Sequence, residues 1–564
     1  MSFIEKQEIK KSIQSPLLTN DLSIKIMSGI LGWTKANRFY NKVKSYNIKQ
    51  FIQAYKRKSK IKHIIPQDHL SRIPAAGSLL IIANHPTGIP DGILILDQVL
   101  KIRKDVKIIA NQLTYKVDPL KPYTIPVDPY EKSESVRQNA LQIRSIFDWL
   151  EDGHCVILFP SGDVADYNFK EKYSHEQFWH PTAKKIILKH KGMVLPWAIQ
   201  GKNSHLFYQL GKVHPSIKSA LLPREGLKTR RKPIYSHIGF PTKLEGKISL
   251  LNDLETKIRL MSMIRHVKQG PILDLFESEL TSKVEPIAPS GNKNKIIAEM
   301  NQSKNILAEK GSLKVILTTK KESPETLYEV GRLREITFRK IGEGSGKDID
   351  LDVHDEVFEH LILWDKEINE IAGSYRLGNG VSLKNMDNYE SIIFEFYKKN
   401  TISQKIVDES LVLGRAFICE SHQQKPFSLF LLWQGIHKYV ATNPELKYIL
   451  GQTSIPNTFH DFSTNMIVGF LTKKHSESTF SNFFIPFNAY KSENVNMINQ
   501  FLDSLSPRDF KRLDEMVQNI EISGNRIPIL FKRYVEQSAE VLGVNIDPAF
   551  QNSIDVLMMT KIDR

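Results

Sequence analysis

The sequence predicts a protein of two units, an N-terminal α/β layer on a parallel or mixed sheet and a C-terminal α+β unit. Three observations predict it. The chain has 564 residues, more than one hydrophobic core usually organises. From about Gly77 to Pro241 short apolar runs alternate with helical patterns, as in a layered α/β fold. The stretch EPIAPSGNKNK, Glu285 to Lys295, then concentrates Pro, Gly, Ser and Asn, and a second series of runs begins after it. The expected organisation is a helical segment over 1–70, an α/β domain over 71–285, a linker at 286–295 and an α+β domain over 296–564.

In the first domain SLLIIAN, VKIIAN, CVILFP, MVLPWAI and IYSHIGFP read as strands. ESVRQNALQIRSIFDWLEDG reads as a helix closed by Gly153. After the linker come a helix IIAEMNQSKNILAEKG, a strand LKVILTT, a helix PETLYEVGRLREITFRKIG and strands HLILWD and EIAGSYRLG. The strand SLVLGRAFICE, the turn SHQQKP, the helix FSLFLLWQGIHKYVATN and the strand YILGQTSI follow.

Apolar content of 41% and charged content of 25% exclude a largely disordered chain. The 78 Lys and Arg against 62 Asp and Glu leave a formal +16, so an anionic partner is expected: nucleic acid, an anionic membrane face or an acidic carrier protein. The basic residues are dispersed and no recognition motif appears, which argues against nucleic acid. The two cysteines, Cys155 and Cys419, sit in apolar segments without metal-ligand spacing, so no metal is expected and a reducing cytoplasm suits them. The N-terminus MSFIEKQEIKKSIQSPLL has charges where a signal peptide needs an apolar core, and no uncharged apolar run of membrane-spanning length occurs. The stretch LSIKIMSGILGWTKANRFYNKVKSYNIKQFIQAYKRKSKIK has helical apolar spacing and a basic cluster from Lys56 to Lys62. It reads either as a helix lying on an anionic membrane or as one packed on its own domain.

The chemistry is expected first at NHPTGIPDG. The apolar run breaks at Asn84, His85 ends the strand, and Pro90 is expected to hold Ile89 extended so that Asp91 caps the next helix. The turn then folds the carboxylate back to the imidazole, and a His oriented by a carboxylate is a general base competent near pH 7. The plainer reading leaves Asp91 as a cap and His85 as a turn residue. ILFPSGDV and GMVLPWAI follow, and the trio resembles the blocks of the glycerolipid (lysophosphatidate-type) acyltransferase family. That resemblance makes His85 the base, Asp91 its orienting group, and Phe159, Pro160, Ser161 and Gly162, with Asn84, the acceptor-binding residues. The sequence departs from the pattern in having five residues between His85 and Asp91, Ser161 where Glu is usual, and Pro129 of IPVDP where Arg is usual. Both losses remove groups that would hold a glycerol phosphate, so another hydroxyl acceptor is expected. NHPTGIPDG, IPVDP, FPSGD and GKNSHLFY together resemble the branch that includes lyso-ornithine-lipid O-acyltransferases and proteins labelled hemolysins.

In the second half EVGRLREITFRKIGEGSG, DIDLDVHDEVFEHLILWD, GSYRLG, LGRAFICESHQQKPFSLFLLWQGI and ILGQTSI resemble the GNAT-like ornithine N-acyltransferases. An amine acceptor must be held as a cation and deprotonated, which suits Asp350, Asp352 and Asp355, with Arg334, Arg376 and Arg415 as fixed positive charge. A donor phosphopantetheine is expected over SHQQKP, at Gln423, Gln424 and Lys425, where backbone N–H groups would open a helix. A Gly-rich pyrophosphate loop is absent, which favours an acyl carrier protein over coenzyme A as acyl donor; no bound cofactor is expected. Val412 stands where the family often has Glu, and Glu409 lies an odd step away on the strand, so the base of this site is unassigned.

The two resemblances together imply a bifunctional aminolipid synthase of ornithine-lipid type. The C-terminal domain would join a 3-hydroxyacyl chain to an amino acid, which the sequence leaves open among ornithine, glycine, lysine and glutamine. The N-terminal domain would acylate the 3-hydroxyl, on the inner face of the cytoplasmic membrane. The alternatives are a phospholipid or lysophosphatidate acyltransferase with a degenerate C-terminal domain, and a non-enzymatic, membrane-active hemolysin-like protein.

Overall fold

A computed structural model describes residues 25, 28–127, 133–170, 173–213, 215–230, 232–264, 284–386, 389–423, 425, 427–476 and 479–563. It forms two compact units, Met1–Lys268 with Gln518–Gly524, and Gln269–Val517 with Asn525–Arg564.

The first unit carries strands β1 (His63–Ile64), β2 (Leu79–Ala83), β3 (Val106–Asn111), β4 (Thr124–Val127) and β5 (Cys155–Leu158). A hairpin of β6 (Asp166–Asn168) and β7 (Tyr173–His175) precedes β8 (Met193–Gln200) and β9 (Ile234–Ile238). Seven of them form one sheet in the order β1-β9-β8-β2-β5-β3-β4. It is mixed: β2 lies parallel to both β5 and β8, while β9 runs antiparallel to β8. All five residues of β2 are buried because helices cover both faces of the sheet. Leu79, Ile81 and Ala83 enter one core with Ile93 and Leu94 of the helix α3 (Ile89–Val99). Leu80 and Ile82 enter the other with Ile146 and Leu150 of α4 (Ser133–Glu151). Since β2 and β5 are parallel neighbours, the loops leaving both emerge at the carboxyl ends of the strands, where open α/β sheets place their ligand sites.

The apolar faces of α1 (Trp33–Val43) and α2 (Ile48–Ser59) turn inward rather than to a membrane. Phe51, Ile52 and Tyr55 join the β2 core, and Trp33 packs with Phe207 and Leu221 while its indole N–H donates to the Ala220 carbonyl at 2.6 Å. What these helices leave outside is charge: Arg57, Lys58, Lys60 and Lys62 are exposed, and Lys56 pairs with Asp97 at 2.9 Å. Among the described residues no helix is long and apolar enough to cross a membrane.

The second unit is built on β10 (Ile306–Lys310), β11 (Leu313–Thr319), β12 (Glu359–Asp365), β13 (Glu370–Asn379), β14 (Ser410–Ile418), β15 (Tyr448–Ile455), β16 (Glu540–Asp547) and β17 (Ser553–Lys561). The sheet order is β10-β11-β12-β13-β14-β15-β17-β16. The helices around it include α6 (Lys293–Gln302), α7 (Pro324–Lys340) and α8 (Ser428–Thr442), with α5 (Ile248–Met263) left to the first unit. Val330 of α7 packs with Ile362, Trp364 and Phe417 on one face, and Gly435 of α8 approaches Val315 and Leu361 on the other. Strands β14 and β15 pair in parallel only over Ser410–Leu413 with Tyr448–Gly451, then run on without pairing to each other.

Two expectations change here. The helix expected over IIAEMNQSKNILAEKG ends at Gln302, and its second half is β10, which pairs with β11. The expected linker is bound along the second unit: the Glu285 and Ala288 amides donate to Gly346 and Asp348 carbonyls at 2.8 and 2.9 Å, and Gly291 N–H donates to Glu329 at 2.9 Å. Its Pro and Gly mark an extended strap with satisfied donors.

Candidate active sites

His85 lies two residues beyond β2, with its side chain 20% exposed. Its Nδ1 is 3.0 Å from Asp91 Oδ2, at ion-pair distance but off hydrogen-bond alignment. Asp91 is the third residue of α3 and not its N-cap; Gly88 is the N-cap, at φ 83°, and Pro90 occupies the first turn, where its missing N–H breaks no helical bond. Ile89 is therefore helical and not extended. The buried Asp91 carboxylate accepts the Thr87 and Gly88 amides at 2.8 and 2.9 Å and the Thr87 hydroxyl, so its orientation toward the imidazole is fixed by three groups of one turn.

The His85 ring stacks on Phe159 with centroids 4.2 Å apart. Gly162, at φ 69°, closes the Phe159–Gly162 turn by donating to the Phe159 carbonyl at 3.1 Å. Ser161 Oγ donates to the Asp163 carbonyl at 2.9 Å, and Pro160 is buried, its carbonyl accepting from His180 at 2.8 Å. Asn84 does not face this site: its amide nitrogen donates to the Ile199 carbonyl at 2.8 Å and its oxygen accepts the Ile199 amide at 2.6 Å, clamping β2 to β8. Pro129 lies outside the described residues.

Sequence reasoning missed Glu176, just past β7. Its Oε1 accepts the His85 backbone amide at 2.6 Å and lies 3.4 Å from Ser161 Oγ, while Oε2 is buried with no partner. Burial raises its carboxyl to about 7 against the lowering pull of the His85 amide and Arg259. KYSHEQFW has no periodicity that would single this residue out.

In the second unit the predicted acidic and basic residues converge. Arg334 reaches Asp355 Oδ1 at 3.2 Å and donates to the Asp350 carbonyl at 3.1 Å. Arg376 reaches Asp352 at 2.6 Å and Asp355 at 3.2 Å, and Arg415 lies 3.6 and 3.8 Å from Asp350 and Asp352. Burial alone would raise the Asp355 carboxyl, but Arg334 and Arg376 hold it down at about 2. Asp350 goes the other way, burial outweighing Arg415 and Arg334. Three guanidinium groups thus balance three carboxylates. The side chains of Arg334, Asp355, Arg376 and Asp350 are at most 5% exposed, so they cannot touch a substrate from outside; only Asp352, at 29%, and Arg415, at 19%, reach the surface.

Around Arg415 lie two carboxyl groups the sequence reading did not single out. Arg415 has φ 51° just where β14 and β15 stop pairing, and its guanidinium sits 4.6 Å over Phe550. Asp555 on β17 stands opposite Ser454 of β15; Glu343 follows α7. Each keeps one buried, unpartnered oxygen, and burial raises Glu343 to about 7 and Asp555 to about 6, in the field of Arg415. Val412 is buried among Ile393, Ile406 and Leu450, and Glu409 pairs with Lys447 at 2.9 Å, so neither belongs to this site.

The turn SHQQKP does not present a free row of N–H groups: the His422 amide donates to Cys419 and the Lys425 amide to His422. Gln423 is exposed and donates to the Ile418 carbonyl at 3.0 Å, Lys425 Nζ is 3.3 Å from Asp365, and Gln424 lies outside the described residues. The helix α8 opens later, at Ser428. A cavity of about 550 Å³ lined by Leu317, Leu377, Asn379 and Tyr439 lies in this unit, and none of the predicted residues lines it.

A His–Asp pair thus lies in the loop after β2 on one unit, and two carboxyls raised by burial lie near Arg415 where β14 and β15 part on the other. Residues 35–222 match the family described as Acyltransferase, and residues 333–434 match the Acetyltransferase (GNAT) domain. The chain is an acyltransferase with one domain of each kind. Among curated proteins it is similar to a glycine N(alpha)-acyltransferase of Phocaeicola vulgatus, 28% identical over 278 residues, 45% of this chain and 81% of that protein. It is also similar to a lyso-glycine lipid O-acyltransferase of the same organism, 26% identical over 188 residues, 30% of this chain and 62% of that protein. A solved 1-acyl-sn-glycerophosphate acyltransferase from Thermotoga maritima is similar at a TM-score of 0.25, with 18% identity over 38% of this chain and 80% of that one.

Proposed function

We propose that this chain makes a diacylated aminolipid in two steps, N-acylating an amino acid with a 3-hydroxyacyl chain in the GNAT domain and O-acylating the 3-hydroxyl in the N-terminal domain. The observation that carries it is Asp91 Oδ2 held 3.0 Å from His85 Nδ1 in one chain with a GNAT domain. The relatives' names favour glycine as the amino acid, with ornithine the other acceptor to be tested. At the first site His85 Nε2 takes the acceptor hydroxyl proton as its oxygen attacks the thioester carbonyl; the C–O bond forms, the C–S bond breaks, and the proton goes to the leaving thiolate. Asp91, held by the turn 3.0 Å from Nδ1, favours a proton on that nitrogen and stabilises the imidazolium as it forms. At the second site an acyl thioester, on an acyl carrier protein or coenzyme A, enters where β14 and β15 separate. Glu343, half-buried, is the carboxyl available to take a proton from the ammonium, with the buried Asp555 near it; the freed amine nitrogen forms the amide as C–S breaks, and the proton it then sheds goes to the leaving thiolate. An anionic membrane face attracts the exposed basic residues of α2.

The test is lipid mass spectrometry of a bacterial host lacking aminolipids that expresses the wild-type chain and His85→Ala in parallel. The wild type is expected to make a diacylated aminolipid whose headgroup mass names the amino acid, and the variant to stop at the monoacylated form. A wild type that alters only phospholipid acyl composition would sink the two-step reading in favour of a single-activity phospholipid acyltransferase.

A further inference from the structure

His85 is gripped through its backbone from both sides: its carbonyl accepts the Ala165 amide at 2.8 Å and its amide donates to Glu176 at 2.6 Å. The same carboxylate oxygen lies 3.4 Å from Ser161 Oγ, so one buried side chain ties the loop after β2 to the turn after β5. We propose that Glu176 is the positioning residue of O-acyl transfer, its carboxylate fixing the His85 main chain against the Phe159–Gly162 turn. This rests on the O-acyltransferase reading of that site.

The groups around Glu176 leave its charge in play. The Arg259 guanidinium on α5 donates to the Glu176 main-chain carbonyl at 3.3 Å, and its charge is already shared with Glu255 at 2.8 Å, which also takes Lys184 at 3.3 Å. Asp163 in the turn is 3.7 Å from Lys218. His85 is the other titratable neighbour. Among the described residues nothing pairs with Oε2, and burial brings the carboxyl to about 7, so the grip on the His85 amide passes from a charge-assisted bond to a neutral one as pH falls through neutrality.

Glu176→Gln separates charge from contact, because a carboxamide oxygen still accepts the amide. The full chain is assayed with N-(3-hydroxyhexadecanoyl)glycine and palmitoyl-acyl carrier protein, reading diacylated product from pH 6 to 8. Glu176→Gln is expected to lower kcat about ten-fold at pH 8, with KM for the acceptor changed less than about two-fold, the range expected for a charged hydrogen bond. The ratio of wild type to variant should approach one at pH 6, where the wild-type carboxyl is itself neutral. Glu176→Ala, which loses the contact too, should fall below Glu176→Gln at every pH. A wild-type kcat in Glu176→Ala, or a pH-independent ratio in Glu176→Gln, overturns the proposal. Far-UV circular dichroism and thermal unfolding of the same preparations report that the variants fold. A wild-type chain inert toward this probe and toward its ornithine counterpart would instead overturn the O-acyl reading, and with it a role for Glu176 in that reaction.

Discussion

Asp91 shapes a turn and orients a base with one carboxylate, which is why removing its charge and removing its contacts should differ. Asp91→Asn keeps the size, but its NH₂ must take the place of Oδ2, which accepts the Thr87 and Gly88 amides and also faces His85 Nδ1, or of Oδ1 at the Thr87 hydroxyl, where the ring loses the carboxylate charge that would stabilise its imidazolium. If it faces the ring, Nδ1 becomes the acceptor, Nε2 carries the proton, and the base is lost. By analogy with serine-protease triads we expect kcat for O-acylation to drop on the order of 10³- to 10⁴-fold with the fold intact. A product-forming rate within ten-fold of wild type would remove Asp91 from the mechanism. His85 and Asp91 were legible because both sit in one short turn after a wholly apolar strand. Glu176 was not, since a hairpin far along the chain brings it to His85. Asp555 was hidden for a similar reason: in SIDVLMM it is one polar residue on a buried strand, and only its place opposite Ser454, where β15 has parted from β14, gives it meaning.

At the scale of elements, most strands were readable because burial on both faces makes them continuous apolar runs, while pairing partners and strand order were not. The helix expected over 296–311 failed at Ser303, where the polar run SKN separates α6 from a strand whose alternation is weak. The Arg–Asp cluster beside β12 and β13 was found from its motif but given the wrong work: Arg334 and Asp355 are an internal clamp. Arg334→Leu leaves a buried carboxylate with Arg376 as its main cation and should destabilise the second unit by about 3–5 kcal/mol. The sign with pH follows. In the wild type Asp355 titrates at about 2, so its stabilising contribution is present above the unfolded carboxylate range and is lost only as pH falls toward 2. Without Arg334 its folded pKa rises, the carboxyl takes a proton earlier, and the gap between variant and wild type should narrow on going from pH 7 to pH 4. Thermal unfolding across that range checks it; a gap that widens in acid would show the clamp is not electrostatic.

The whole molecule carries +16, and the structure changes what that charge is expected to do. The sequence allowed α1 and α2 to lie on a membrane by an apolar face, a reading that periodicity cannot separate from packing because both need the same stripe. With Trp33, Phe51 and Tyr55 inside the first unit, attraction to a membrane rests on Arg57, Lys58, Lys60 and Lys62. Exposed charge of this kind is screened within about 8 Å at physiological ionic strength and within about 3 Å at 1 M salt. Binding to vesicles rich in phosphatidylglycerol should therefore be strong at low salt, fall steeply by about 0.5 M salt, and be absent for neutral phosphatidylcholine vesicles. Changing Arg57, Lys58, Lys60 and Lys62 together to Gln, with Lys56 kept for its pair with Asp97, should move protein from the vesicle pellet to the supernatant and leave N-acylation of a soluble amino acid unchanged. Each of these basic residues is expected to contribute on the order of 1 kcal/mol near an anionic surface, so losing four is more than enough to abolish pelleting. Pelleting that persists in high salt and in the variant would mean that apolar burial elsewhere in the chain holds it to the membrane, and that this charge is only a solvated surface.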